Sequence, residues 1–134
     1  MPRSRRRDAR RALEDAREKI AKFVGAKSNE IIFTSSGTES DNLAIKGLFW
    51  RSNKKLIVIS SIEHHAVLDP AYWLVDHQGA ELIEIPVTAH GFIDLDFLKK
   101  VVAERKAEIA LISVMHSNNE TGVIQPVEIG RAHV

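Results

Sequence analysis

Short aliphatic and β-branched runs alternate with helix-length segments along this sequence, and that alternation restricts the chain to few folds. Leu56-Ile57-Val58-Ile59-Ser60 and the run from Ile109 to Val114 are nearly continuous in apolar residues, as strands buried on both faces require. Leu82 to Ile85 forms a third run, closed by Pro86, and Ile31 to Thr34 reads as a fourth. Between them, a helix is expected from about Glu39 to Phe49. A second opens at Asp69-Pro70, a capping side chain followed by proline at the first helical position, and ends near His77 before Gly79. Asp94 caps a third, which carries Leu98, Val101 and Val102. Strands separated by helices of this length join through parallel crossovers. The expected class is therefore α/β, a mainly parallel sheet flanked by helices.

Composition narrows the function. The 134 residues suffice for one domain with one core, and a net charge of +1 provides no general field for nucleic acid or anionic lipid. The chain has no cysteine, which removes disulfides, thiolate metal sites and a thiol nucleophile from its own chemistry. The apolar run from Ile109 to Met115 is far too short to span a membrane. Six arginines fall within Arg3 to Arg11, a run that a transit peptide or a nucleic-acid arm would also show. Helical spacing of Leu13, Ala16, Ile20 and Phe23, with Asp15 four residues before Lys19, favours a solvated helix stopped by Gly25. Val127 to Val134 reads as a helix just begun, so the sequence reads as cut rather than finished.

In an open parallel sheet, ligands bind beyond the carboxyl ends of the strands. Three polar segments are expected there: Ser35-Ser36-Gly37-Thr38, Ser61-Ile62-Glu63-His64 and Met115-His116-Ser117-Asn118-Asn119-Glu120. The first has the makings of a phosphate cradle, with Gly37 permitting close backbone approach and helix amides facing an anion. Thr38 is either a further donor or simply the helix cap. His64 is either a site residue or a structural one, and Asn118-Asn119 is either a pair of amide donors or a turn. No metal is expected from Glu63, His64, His65, His90 and His116, because adjacent strand residues point to opposite faces.

Together these residues resemble a known family. Thr34-Ser35-Ser36-Gly37-Thr38-Glu39-Ser40-Asp41-Asn42-Leu43 is similar to the phosphate-loop signature of NifS/IscS-type cysteine desulfurases, within the class V aminotransferases. Glu63-His64-His65-Ala66-Val67-Leu68 resembles their second signature, and the stretch from Met115 to Gln125 their third. Position 36 is serine where many relatives have glycine, and position 37 is glycine where they often have alanine.

The resemblance implies a fold type I, pyridoxal 5'-phosphate-dependent transferase, with residues 1–134 as the first part of its large domain. It implies that Gly37 and Thr38 bind the cofactor phosphate. His64 would stack on the pyridine ring and move protons, and Asn119 would hydrogen-bond the phenolate oxygen. The implied reaction converts L-cysteine to L-alanine and leaves persulfide sulfur on the enzyme. The family's cofactor-binding lysine, its pyridine-pairing aspartate and its persulfide cysteine have no counterpart here, so the isolated chain is expected to be inactive. A homodimer, a sulfur-acceptor or scaffold partner and a cytoplasmic location complete the expectation, with neither nucleic acid nor membrane as partner. A non-catalytic phosphate- or partner-binding module and a selenocysteine lyase are the alternatives.

Overall fold

Residues 3–128 are described by the computed structural model, and the chain divides into two units, Met1–Ser35 and Ser36–Val134. In the first unit, helix α1 spans Arg3–Val24 and stops where Gly25 adopts a left-handed φ of 70°. Glycine reaches that region without a Cβ clash, as expected for this stop. Asp15 pairs backward with Arg11 at 4.0 Å and not with Lys19, while Arg17 pairs with Glu14 at 3.2 Å.

The strand expected at Ile31 to Thr34 does not form. Ile31 is extended, but among the described residues the run belongs to no sheet and has no neighbouring strand. Arg17 substitutes for one: its guanidinium donates to the Ile31 carbonyl and lies 4.9 Å from the centroid of the Phe33 ring. A β-branched run favours extended backbone, whereas a strand also needs a neighbour to satisfy its amides and carbonyls.

The second unit carries the expected α/β architecture. Strands β1 (Leu56–Ser60), β2 (Glu81–Ile85) and β3 (Ile109–Ser113) form a sheet in the order β2-β1-β3, with both pairings parallel. Helix α2 (Gly37–Ser52) precedes β1, α3 (His65–Gln78) connects β1 to β2, and α4 (Leu95–Arg105) lies between β2 and β3. The chain passes from α2 to β1 through residues 53–55, with Asn53 left-handed at φ 56°. That short reversal returns the N-terminal end of α2 to the carboxyl edge of the sheet. Val127 and Glu128 are helical, and the rest of the helix expected at the C-terminus lies outside the described residues.

Every residue of β1 is buried. Alternation sends Ile57 and Ile59 to one face, where they pack with Ile45 and Phe49 of α2 and with Val67, Ala71 and Leu74 of α3. Leu56 and Val58 face the other way, toward Ile85, Ile93 and Val101. Each fully buried aliphatic side chain contributes about 1.5–3 kcal/mol, so the two clusters clamp β1 from both sides.

Helix α3 departs from expectation at its start. It is capped by His64 and not by Asp69, because His64 Nδ1 accepts the Ala66 N–H at 3.0 Å. The His64 carbonyl takes the N–H groups of Val67 and Leu68 at 2.8 and 3.1 Å. Pro70 therefore lies inside the helix and is buried. The end of α3 is as expected, with Gly79 left-handed at φ 66°.

Arg105, the last residue of α4, grips the first residue of β2. Its two terminal nitrogens donate to the Glu81 carboxylate at 2.5 and 2.7 Å, and it also binds Glu108. Hydrogen bonds from Arg105 hold both carboxyls below the ordinary glutamate pKa. Such groups stabilise the fold above their unfolded pKa and lose that contribution as pH falls through the folded values. The urea midpoint is expected to drop as the pH is lowered from neutrality to below 4.5, the ordinary glutamate value. Arg105→Gln should flatten this dependence, and equal slopes in parent and variant would contradict the role given to Arg105.

Candidate functional site

The loops after β1 and β3 are neighbours because their strands pair directly. Two side chains join them. Glu63 is buried, and its Oε1 accepts the Ser60 hydroxyl at 2.6 Å and the Met115 backbone N–H. Asn118 is also buried, and its Nδ2 donates to the Ile62 carbonyl at 3.1 Å. The segments carrying His64 and Asn119 are thus held together at one edge of the sheet.

The consecutive asparagines divide their work. Asn118 Oδ1 accepts the N–H groups of Glu120 and Thr121, both at 2.9 Å, which makes this residue the core of the turn. Asn119 is exposed, and its carboxamide makes no hydrogen bond among the described residues. Gly122 closes the turn with φ 72°. Beyond it, Gln125 is buried and grips the preceding loop, accepting the Ile93 N–H at 3.0 Å and donating to the Gly91 carbonyl at 2.7 Å.

At the start of α2 the capping oxygen belongs to Ser36, whose hydroxyl accepts the Glu39 N–H at 3.2 Å. Thr38 is therefore not the cap. The first intrahelical bond runs from Ser40 N–H to the Ser36 carbonyl at 3.1 Å, which leaves the Gly37 and Thr38 amides pointing out of the helix end. The Thr38 hydroxyl makes no hydrogen bond among the described residues, and its carbonyl accepts from Asn42 at 3.2 Å. A Cβ built on Gly37 would meet nothing within 4 Å among the described residues. Neither Gly37 nor Thr38 bonds to the other two segments; chain reversal after α2 brings them to the same edge.

His64 is exposed and performs a structural task through Nδ1. With Nδ1 accepting, the neutral ring carries its hydrogen on Nε2, which is left available at the edge. His65 turns away along α3 toward Asp69 at 3.7 Å, and the two imidazoles stand at 75° with centroids 6.4 Å apart. Among the described residues no three His, Asp or Glu side chains gather as a metal would need. The edge thus offers amide and hydroxyl donors for an anion, an exposed aromatic face and a free carboxamide.

Sequence reasoning allowed a turn at Asn118 but overlooked Ser36, Glu63 and Gln125 as residues that fix the site. Their only signal was position: polar side chains placed just after apolar strands or beside the residues singled out.

The model of the family described as aminotransferase class-V matches residues 3–133. The chain belongs to the class-V aminotransferase family. Among members of this family it is 53% identical over 124 residues to the cysteine desulfurase IscS of Dictyoglomus turgidum, covering 91% of this chain and 30% of that protein. It is 45% identical over 126 residues to an IscS-like cysteine desulfurase of Mycobacterium tuberculosis, covering 90% and 32%. A solved NifS-like protein superposes with a TM-score of 0.85 at 39% identity, covering 95% of this chain and 34% of its own. SspA in complex with cysteine superposes with a TM-score of 0.83 at 35% identity, covering 96% and 36%. The chain spans about a third of the length of these class-V relatives.

The two asparagines should separate in stability. Asn118→Ala removes four side-chain hydrogen bonds from a buried group, one of them a weak contact to the Met115 sulfur, and should cost about 1–3 kcal/mol. Asn119→Ala should stay within about 0.5 kcal/mol of the parent. Denaturant titration of both variants measures the difference, and equal losses would count against this division.

Proposed function

We propose that the chain is the first part of the large domain of a pyridoxal-phosphate-dependent cysteine desulfurase. The observation that carries this reading is the end of α2, where Ser36 does the capping and the Gly37 and Thr38 amides and the Thr38 hydroxyl have no hydrogen bond among the described residues, a donor set suited to a phosphate. The curated relatives named as cysteine desulfurases and the neighbour solved with cysteine support L-cysteine as the substrate.

The donor set fits this cofactor. Gly37 and Thr38 would bind its phosphate, assisted by the positive end of the helix dipole. The His64 ring would lie against the pyridine face, with Nε2 at hand to hold or deliver a proton. Asn119 would donate its free carboxamide to the phenolate oxygen and favour the ionised form. When bound, pyridoxal phosphate supplies an electron sink for reaction at the substrate amino acid. Overall, the cysteine C–S bond breaks, a protein thiol takes the sulfur as persulfide, and carbon receives a proton to give alanine. This chain contains no cysteine, and none of its lysines lies within 36–38, 61–64 or 115–120, so the whole protein supplies both the thiol and the cofactor-binding lysine from other residues. A homodimer and a sulfur-accepting partner accompany this reading of the whole enzyme.

Pyridoxal phosphate should raise the melting temperature of the chain by mass action on the folded state. Thr38→Val removes one donor, and Gly37→Pro removes another while keeping a residue suited to the first helical position. Both should abolish the shift, and a response equal to the parent's would sink the cradle. His64→Asn keeps a capping acceptor but removes the imidazole, so it should fold normally and bind pyridoxal phosphate more weakly.

Incubated alone with cysteine and the cofactor, the chain should release no alanine. Borohydride reduction followed by peptide mapping should find label scattered over several of its lysines. A single dominant lysine together with alanine production would overturn the proposed division of the active site.

A further inference from the structure

A carboxylate is rarely placed inside a protein unless its bonds require it, since burial strips away its water. Glu63 is buried at 8% exposure, immediately before His64 and far in sequence from the Asn119 segment. One oxygen, Oε1, receives both the Ser60 hydroxyl at the end of β1 and the Met115 N–H just after β3. The Asn118 carboxamide makes the second tie between these loops, to the carbonyl of Ile62, and its own oxygen fixes the turn that presents Asn119. The backbone on either side of Glu63 is thereby committed: Ile62 to Asn118, and His64 to the start of α3.

From this geometry we infer that Glu63 is a positioning residue, setting the distance between the His64 ring and the Asn119 carboxamide through the acceptor Oε1. The inference rests on the proposed pyridoxal-phosphate site for its functional meaning, while the brace itself belongs to the described chain. What matters is the reach of the oxygen and not the negative charge. A shorter side chain with the same charge fails to span both donors, whereas a neutral one of equal length retains the acceptor. Both donors converge on a single oxygen, so Glu63→Gln keeps the brace with its amide oxygen in that place.

The test compares Glu63→Gln and Glu63→Asp in the 134-residue chain, using ring resonances of His64 and the side-chain amide resonance of Asn119. Gln should leave both signals where the parent has them; Asp should move both, with core methyl signals of Ile57 and Leu74 unchanged. Binding provides the second readout, with inorganic phosphate and pyridoxal phosphate as probes. Asp should weaken pyridoxal phosphate by about tenfold, the effect of about one lost hydrogen bond, and leave inorganic phosphate unaffected. Gln should match the parent for both probes. The reverse order, Gln shifted and Asp intact, would overturn the inference in favour of charge. Unmoved His64 and Asn119 signals in both variants would overturn it outright. If pyridoxal phosphate does not bind the parent chain, the functional reading fails, and the resonance comparison still decides whether Glu63 sets this geometry.

Discussion

Strand β1 has no solvent side. Its five residues are buried, with Ile57 and Ile59 turned to one helical layer and Leu56 and Val58 to the other. A strand in this position needs a partner on each edge and cover on each face, so β2, β3 and the helices follow from its demands. The same constraint determines where polar chemistry can lie. Only the strand ends escape the apolar clusters, and at the carboxyl end the chain leaves β1 and β3 side by side. The loops carrying His64 and Asn119 meet there because the central strand is too apolar to admit them anywhere else.

At that edge the polar groups fall into two layers with different duties. Glu63, Asn118 and Gln125 are buried and direct their hydrogen bonds to backbone, to Ser60 and to the Met115 sulfur. Thr38, His64 and Asn119 are exposed, and each has at least one polar group with no hydrogen bond among the described residues. The free groups are useful because the buried ones hold the loops still; a donor aims at a ligand only if its backbone cannot wander. His64 belongs to both layers, since its Nδ1 starts α3 while the rest of its ring faces out.

Much of this arrangement was legible in the residues. The three strands of the second unit appear within a residue of their expected bounds, because continuous apolar runs leave little ambiguity about burial. The helix stops at Gly25 and Gly79 followed from backbone chemistry that glycine alone satisfies easily. What could not be read depended on partners distant in sequence or on competition between equal candidates. Ile31 to Thr34 has strand composition but found Arg17 in place of a neighbouring strand. Asp69-Pro70 is a better capping pair on paper than His64, yet the apolar spacing of Val67, Ala71 and Leu74 carries the helix back to His65. Ser36 and Thr38 are both acceptable caps, and Asn118 and Asn119 are both acceptable turn residues. Burial and geometry separate each pair, and neither property is written in the identity of the residue.

The order β2-β1-β3 also carries a consequence for the path by which the chain acquires its structure. Strands β1 and β2 are linked through α3 alone, whereas β3 must wait for α4 and then close a much longer loop onto β1. During N-to-C synthesis, the first pairing therefore has all its residues before the second is complete. The Glu63 and Asn118 bridges both span the later pairing. The edge that would receive a ligand is thus the last part of this sheet to take shape, and a nascent chain lacking β3 has a partial core but no assembled site.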